Sequence, residues 1–306
     1  MLIANVECDE IINQIVTSLT KRTWLLYYND RLIFQRKKRD LRTLKKIIKR
    51  LKWSSFDYCL EQEIIYPRLD DCLLVLGVKL KYLQDKLNCT NMVLWLGPDD
   101  GSNFRYKKAI TLPYKGTRGP KPDVLIQLRQ YLINIKNARV IYGYEADDAL
   151  GIYQIDSEVY ETVAVHCDKD IFMIPGVHYN TITDEFVHVS RLGELIETDK
   201  GIKGNGLRFF YYQLLIGDKV DNIPSLHKGL GPKFAYKCLK NCLDEEDLLE
   251  SVLFNYRVEL ASTVSDTVWK ERLLEQADLV WICQNEKEIG SQYIQRRYKE
   301  IFKKDM

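Results

Sequence analysis

Apolar residues repeat along this chain with two periods, and the switches between them mark out the predicted elements. Met1–Val6 reads as a strand, and Trp24–Phe34 as a strand pair turning at Asn29-Asp30. Leu41, Leu44, Ile48 and Leu51, with Ile47 beside them, then recur at 3,4,3 spacing and predict a helix over about 40–52. Trp53–Pro67 reads as a linker. Asp70 or Asp71 can cap a helix running to Leu87, and Met92–Leu96 is an unbroken apolar run of the buried-strand kind, closed by Gly97-Pro98. A loop rich in Pro, Gly and base spans Asn103–Pro122. Beyond it come a helix to about Ile135, a strand Arg139–Tyr142, a helix opening near Glu145 and a strand Thr162–His166. This alternation predicts an α/β core with a mainly parallel sheet and helices on both faces, where ligands gather at the carboxyl ends of strands. From Gly206 onward the pattern is helical. Three regions follow: an N-terminal α/β extension with a basic helix (1–69), the core with its loop (70–205) and a helical region (206–306).

With 306 residues, 46% of them apolar and 29% charged, the chain is globular, and disorder and collagen are excluded. No run approaches the ~20 apolar residues of a membrane span. The opening MLIANVECDE meets an acid before a signal-peptide core could form, so an intracellular, cytoplasmic protein is expected. Eight cysteines without C-x-x-C spacing read as reduced thiols. The net charge of +2 hides an asymmetry: Lys21–Lys52 holds thirteen Lys/Arg against Asp30 and Asp40, a local +11 that leaves −9 for the rest. Such a segment is either a solvated helix face or a contact for a polyanion.

The acids fall where the strands end. Glu145, Asp147 and Asp148 crowd into one turn after a short strand, and Asp168 and Asp170 follow the strand ending at His166. Acids at a helix start and an Asp-Lys-Asp turn each have ordinary structural explanations. Together they face one crevice, and two carboxylates ~4 Å apart at an effective dielectric near 20 repel by about 4 kcal/mol. Converging carboxylates supply hard oxygen ligands, which suit Mg²⁺ or Mn²⁺. A third pair, Asp218 and Asp221, precedes Gly229-Leu-Gly231-Pro-Lys233, a glycine turn entering a helix, which with its lysine can cradle phosphate.

In order along the chain, Tyr114-Lys115-Gly-Thr-Arg118, Pro122-Asp123, Glu145-Ala-Asp147-Asp148, Asp168-Lys-Asp170 and Gly217-Asp218-Lys-Val-Asp221-Asn222-Ile-Pro224 with Gly229-Leu-Gly231 resemble the 5′-nuclease family. That family comprises phage 5′→3′ exonucleases, polymerase-associated 5′-exonuclease domains and flap endonucleases. The resemblance covers about residues 70–240. It implies a PIN-like α/β core followed by an all-helical, helix-hairpin-helix-type C-terminal region. It implies hydrolysis of DNA phosphodiesters near 5′ ends, flaps or junctions, RNA primer strands included, in phage replication, primer removal or DNA degradation. Two Mg²⁺ or Mn²⁺ ions would be held, directly or through water, by Glu145, Asp147, Asp148, Asp168, Asp170, Asp218 and Asp221. Lys115 and Arg118 would act on the scissile phosphate. DNA contacts are implied for Tyr114, for Arg105, Lys107 and Lys108, and for Gly229, Gly231 and Lys233, with K⁺ on the carbonyls of the Gly229–Gly231 turn. A DNA polymerase or a single-strand-binding protein are candidate partners.

The chain departs from the pattern in three places. The family's first strand ends in a metal-binding aspartate; here Asn5 stands where that acid might fall, with Glu7 and Asp9 just beyond. After Leu96 the family has an acid almost at once, whereas this chain offers Asp99 or Asp100. Ser225-Leu-His-Lys replaces a shorter link before the glycine turn. The Asn5 corner leaves open a non-catalytic DNA-binding protein with a defective metal site. The same opening strand also resembles that of 3′→5′ proofreading exonucleases, again with Asn for the first acid.

Overall fold

The computed structural model describes residues 2–37, 41–55, 57–154, 161–199, 201–226, 231–261 and 266–306. The chain divides into two compact units. One comprises Met1–Ile11, Leu83–Pro120 and Tyr131–Met306, the other Ile12–Tyr82 and Lys121–Gln130.

The larger unit is built on a six-stranded sheet. Its strands are β1 (Leu2–Glu7), β5 (Asn91–Leu96), β6 (Arg139–Val140), β7 (Glu161–His166), β8 (Gly176–Asn180) and β9 (Glu185–Val189), in the order β6-β5-β1-β7-β8-β9. Every pairing is parallel except β8–β9. This is the mixed α/β architecture with a mostly parallel sheet that the alternating pattern predicts. The apolar runs need both faces covered: Ala4, Val6, Leu96, Val163, Ala164 and Val165 are buried. A small hairpin, β10 (Leu195–Thr198) and β11 (Gly201–Gly204), follows.

The chain then becomes helical among its described residues, through α7 (Gly206–Ile216), α8 (Pro232–Leu239), α9 (Glu245–Ala261), α10 (Asp266–Val280) and α11 (Gly290–Phe302). Helix α7 is apolar nearly all round and lies in the centre of this core, its Phe210, Tyr211, Leu214 and Leu215 fully buried. Phe210 packs edge-on against Trp281, which stacks on Tyr293 of α11.

The smaller unit holds an antiparallel sheet, β3-β2-β4, made of β2 (Lys21–Tyr28), β3 (Arg31–Lys37) and β4 (Tyr58–Ile65). The hairpin turns at Asn29-Asp30 as predicted, both residues with positive φ (45° and 62°) as a tight two-residue turn requires. Helix α2 (Leu41–Leu51) packs on this sheet through Leu44 and Ile48 against Leu26, flanked by Trp24, Phe34 and Leu60.

Two expectations about the first 69 residues need correction. Residues 2–7 are not part of an extension: β1 lies mid-sheet in the core, hydrogen-bonded to β5 and β7. The stretch taken as a linker contains β4, which escapes notice because Glu61, Gln62 and Glu63 interrupt its apolar positions and most of it is exposed. Parallel neighbours on both sides of β1 also give no support to the proofreading-exonuclease resemblance. Among the described residues no helix is long and apolar enough to cross a membrane.

Candidate active site

Parallel strands deliver their carboxyl ends to one edge of the sheet. The chain leaves β1 for β5 and β6 on one side and returns to β7 on the other, so the end of β1 lies at the point where strand order reverses. Glu7 is the last residue of β1, paired in register with Trp95, and only 2% of its surface is exposed. Asp168 follows the end of β7, and α6 (Ala146–Tyr153) begins beyond β6 with Glu145 at its N-cap and Asp147 in its first turn.

Burial raises the carboxyl of Glu7 well above the ordinary glutamate range, and the charges of Asp9, Glu10 and Asp168 raise it further, against the Glu10 N–H that its carboxylate accepts at 2.9 Å. Asp147 is raised in the same way, by burial and then by Glu7, Asp168 and Glu145. Glu7, Asp147 and Asp168 therefore share one low-dielectric corner, and none of them forms an ion pair with a described cation. Of Asn5, Glu7 and Asp9, among which sequence reasoning left the first-strand acid open, Glu7 is the one that stands in this corner. Asn5 sits two residues deeper, 3% exposed, where its Oδ1 accepts from Trp95 Nε1 (3.1 Å) and its Nδ2 donates to Tyr153 O (3.2 Å). It is a structural amide. Asp9 turns back on β5, accepting the Gly97 N–H at 2.7 Å.

Around this corner the acids are held by the protein's own cations. Burial would raise Glu145, but Lys115 Nζ at 2.5 Å and the Arg105 guanidinium hold it down to about 2. Asp221 accepts from Arg118 (2.5 Å) and lies 3.8 Å from Lys115 Nζ. Tyr114 OH is 3.0 Å from both Glu145 Oε2 and Asp221 Oδ2, and its single proton can go to only one at a time. Lys115 has φ of 53°, a backbone locked by its N–H donating to Asp221 O (2.9 Å).

On the other flank Lys169 Nζ bridges Asp170 (2.7 Å) and Asp218 (3.3 Å). Burial still lifts Asp170 to about 7, with Asp168 and Asp218 adding to it against Lys169. Gly217 makes this turn feasible: its φ is 64° and a Cβ would lie 2.4 Å from Ile223 O.

Asp148 does not face the corner. Fully buried, it accepts Arg105 in a two-point pair (2.6 and 2.8 Å), the Cys283 N–H (2.8 Å) and the Glu145 N–H (2.9 Å). Four donors on two carboxylate oxygens fill its acceptor capacity, and it fixes the start of α6. Arg105, expected on DNA, is 2% exposed and spends its remaining N–H groups on Leu279 O and Trp281 O. The pairing joins residues 43 apart, and no local pattern announces it.

The remaining expectations fall outside this cluster. Asp99 and Asp100 lie on the exposed turn after β5, where Asp100 accepts the Ser102 N–H (2.8 Å). Lys107 is exposed, and Lys108 pairs with Asp278 at 3.4 Å. Gly231 caps α8, and Lys233 is exposed, 3.9 Å from Glu197. Gly229, and with it the expected K⁺ turn, lies outside the described residues.

No protein-family model matches the chain. Over 160 residues it is 27% identical to the 5′-3′ exonuclease of Buchnera aphidicola, covering 50% of this chain and 54% of that one. Flap endonuclease Xni of a Shewanella species is 25% identical over 150 residues (46% and 55%), and the 5′-3′ exonuclease of Aquifex aeolicus 26% over 156 (47% and 51%). The chain thus spans about half the length of these relatives. Among solved structures, the bacteriophage T5 flap endonuclease in complex with DNA and metal ions overlaps 74% of this chain and 89% of its own at 14% identity, with a TM-score of 0.45, too distant a likeness to bear on the site. The curated relatives that the chain is similar to are 5′-3′ exonucleases and flap endonucleases, and the ordered motifs resemble the same 5′-nuclease family.

Proposed function

We propose that the protein is a divalent-metal-dependent 5′-nuclease that hydrolyses DNA phosphodiesters near 5′ ends or at single-strand/duplex junctions, as an exonuclease or flap endonuclease. The observation that carries this reading is the corner of Glu7, Asp147 and Asp168, where burial and the neighbouring acids raise the carboxyls of Glu7 and Asp147.

The donor set fits Mg²⁺ or Mn²⁺: hard carboxylate oxygens, in surroundings whose electrostatics a cation would reverse. Among the described residues no three acid, His or Cys side chains form a ready-made cage. That suits an ion that keeps several waters and takes only one or two carboxylates directly. Glu7, Asp147 and Asp168 would hold one ion, and Asp170 and Asp218 the neighbourhood of a second. When bound, the cations supply an activated water at neutral pH and offset charge on the phosphate.

The chain's own residues do the rest. Lys115 and Arg118, now paired with Glu145 and Asp221, are placed to exchange those carboxylates for the oxygens of an incoming phosphate. Tyr114, within reach of both carboxylates, can donate to either one while that exchange occurs. Asp148 with Arg105 fixes the helix start that carries Asp147. No side chain is required as nucleophile. The non-catalytic reading rested on a defective Asn5 corner, and Glu7 removes that ground.

The test is cleavage of a 5′-labelled flap substrate across an Mg²⁺ titration. Glu7→Gln, and separately Asp168→Asn with Asp170→Asn, should abolish cutting while DNA binding is retained, since fewer negative charges then face the phosphates. Near wild-type cutting by either variant would overturn the reading.

A further inference from the structure

We infer that the exposed face of α2 in the smaller unit binds the phosphate backbone of nucleic acid, an inference that rests on the nuclease reading only in taking that acid to be the substrate DNA. Helix α2 carries Arg42, Lys45, Lys46, Lys49 and Arg50, and no acid. At about 100° per residue these five occupy an arc of roughly 140°, diametrically opposed to Leu44, Ile47, Ile48 and Leu51. All five are exposed, and none forms an ion pair with a described acid. Arg42 and Lys46, Lys45 and Lys49, and Lys46 and Arg50 stand at i,i+4, where like charges destabilise a helix, and Arg42 faces the positive end of the helix dipole. A face needed only for solubility would intersperse acids; this one accepts self-repulsion with no partner inside the described protein.

The partner follows from what the other face is doing. A basic amphipathic helix suits either an anionic membrane or nucleic acid. Membrane binding needs a free apolar face to enter the headgroup region, but Leu44 is fully buried and Ile48 is 7% exposed, both packed on Leu26 of the sheet. Ile47 is half-buried and Leu51 is 49% exposed, too little free apolar surface for insertion, so charge dominates, which is how proteins contact phosphates without reading sequence.

The experiment uses the full chain and a flap duplex. Lys45, Lys46, Lys49 and Arg50 are changed to Gln together and as the pairs K45Q/K46Q and K49Q/R50Q, with an all-Arg set as the charge-preserving control. Binding is measured from about 50 to 200 mM salt, where each phosphate contact contributes a slope of about −0.9 in log K against log salt. The fourfold variant should flatten the slope by about 2 to 4, each pair by part of that, and the all-Arg set not at all. Cleavage at saturating DNA should stay at the wild-type rate. A wild-type slope in the folded fourfold variant or in both pairs overturns the inference and leaves the nuclease reading intact. Charge-dependent capture of the wild type on phosphatidylserine vesicles, with the DNA slope unmoved, overturns it in favour of lipid. Failure of the wild type to cut would strike the nuclease reading instead, since the salt slope is read from binding alone.

Discussion

Replacing Arg105 with Met tests whether Asp148 serves structure or metal. Arg105 and Asp148 are 3% and 0% exposed at their side chains, so the substitution leaves a carboxylate with no counter-ion and only two backbone N–H donors, from Glu145 and Cys283. Breaking a buried ion pair by removing one partner costs about 3–5 kcal/mol. The carbonyls of Leu279 and Trp281 also lose a donor, which places the cost toward the upper half of that range. At about 2–4 °C per kcal/mol for a chain of this size, the melting temperature should fall by roughly 10 °C. Asp148→Asn should be costly as well, because it leaves the guanidinium without its main partner. The double variant buries no net charge, and its loss should be smaller than the sum of the singles by about 1–3 kcal/mol. Calorimetry and urea titration of the three proteins close the cycle. A cost below about 1 kcal/mol for Arg105→Met, or strict additivity, would refute the buried-clamp argument. So would loss in Asp148→Asn of the Mg²⁺-induced rise in melting temperature, since that would make Asp148 a ligand.

Two further outcomes are expected. Asn5→Asp puts a carboxylate oxygen against the Tyr153 carbonyl where an amide N–H now donates; it should destabilise by about 1–3 kcal/mol without tightening Mg²⁺ binding measured by calorimetry, and tighter binding would restore Asn5 as the metal corner. In EDTA, Asp170 has a folded pKa raised to about 7, so its contribution is fully favourable below the ordinary aspartate range near 4 and is lost as pH rises to 7, with Glu7 and Asp147 acting in the same direction. Millimolar Mg²⁺ should therefore raise the melting temperature more at pH 8 than at pH 5, and an equal or absent rise would argue against the carboxylate corner.

The parallel core and its acids were legible because buried strands read as unbroken apolar runs, and Asp147 and Asp168 follow such runs within a few residues. Less was legible where polarity is shared between faces. Helix α1 (Asp9–Leu19) was passed over although Asp9 and Glu10 open it and Ile11, Ile12, Ile15 and Val16 are buried along it. Strands β8–β11 are only four or five residues long, too short for a period to stand out. Which residue of β1 joins the carboxylate corner was not legible for a different reason. Asn5 and Glu7 project to the same side of β1, so motif and alternation admit both. Only the register that sets Glu7 opposite Trp95, at the last rung of the sheet, puts one in the crevice and the other beneath it.

The acids of this site divide by what neutralises them, and the division says where an added cation would gain most. Asp148 is matched by Arg105, Glu145 and Asp221 by Lys115 and Arg118, and Asp170 and Asp218 by Lys169. Each of these carboxylates would have to surrender a partner before taking a metal oxygen contact, so part of the gain is spent on exchange. Among the described residues Glu7, Asp147 and Asp168 have no such cation to give up, and in the folded chain Glu7 and Asp147 are already raised by burial and by their acidic neighbours. A divalent cation there would relieve that repulsion outright. A cation held there would compete for the carboxylates paired with Lys115 and Arg118, which would weaken those pairs and leave the two side chains available for phosphate. On this ordering, occupation of the Glu7 corner precedes release of Lys115, so Glu7→Gln should cost more in turnover than Lys115→Ala. The reverse ranking in single-turnover cleavage would mean that the corner acts after the phosphate is engaged.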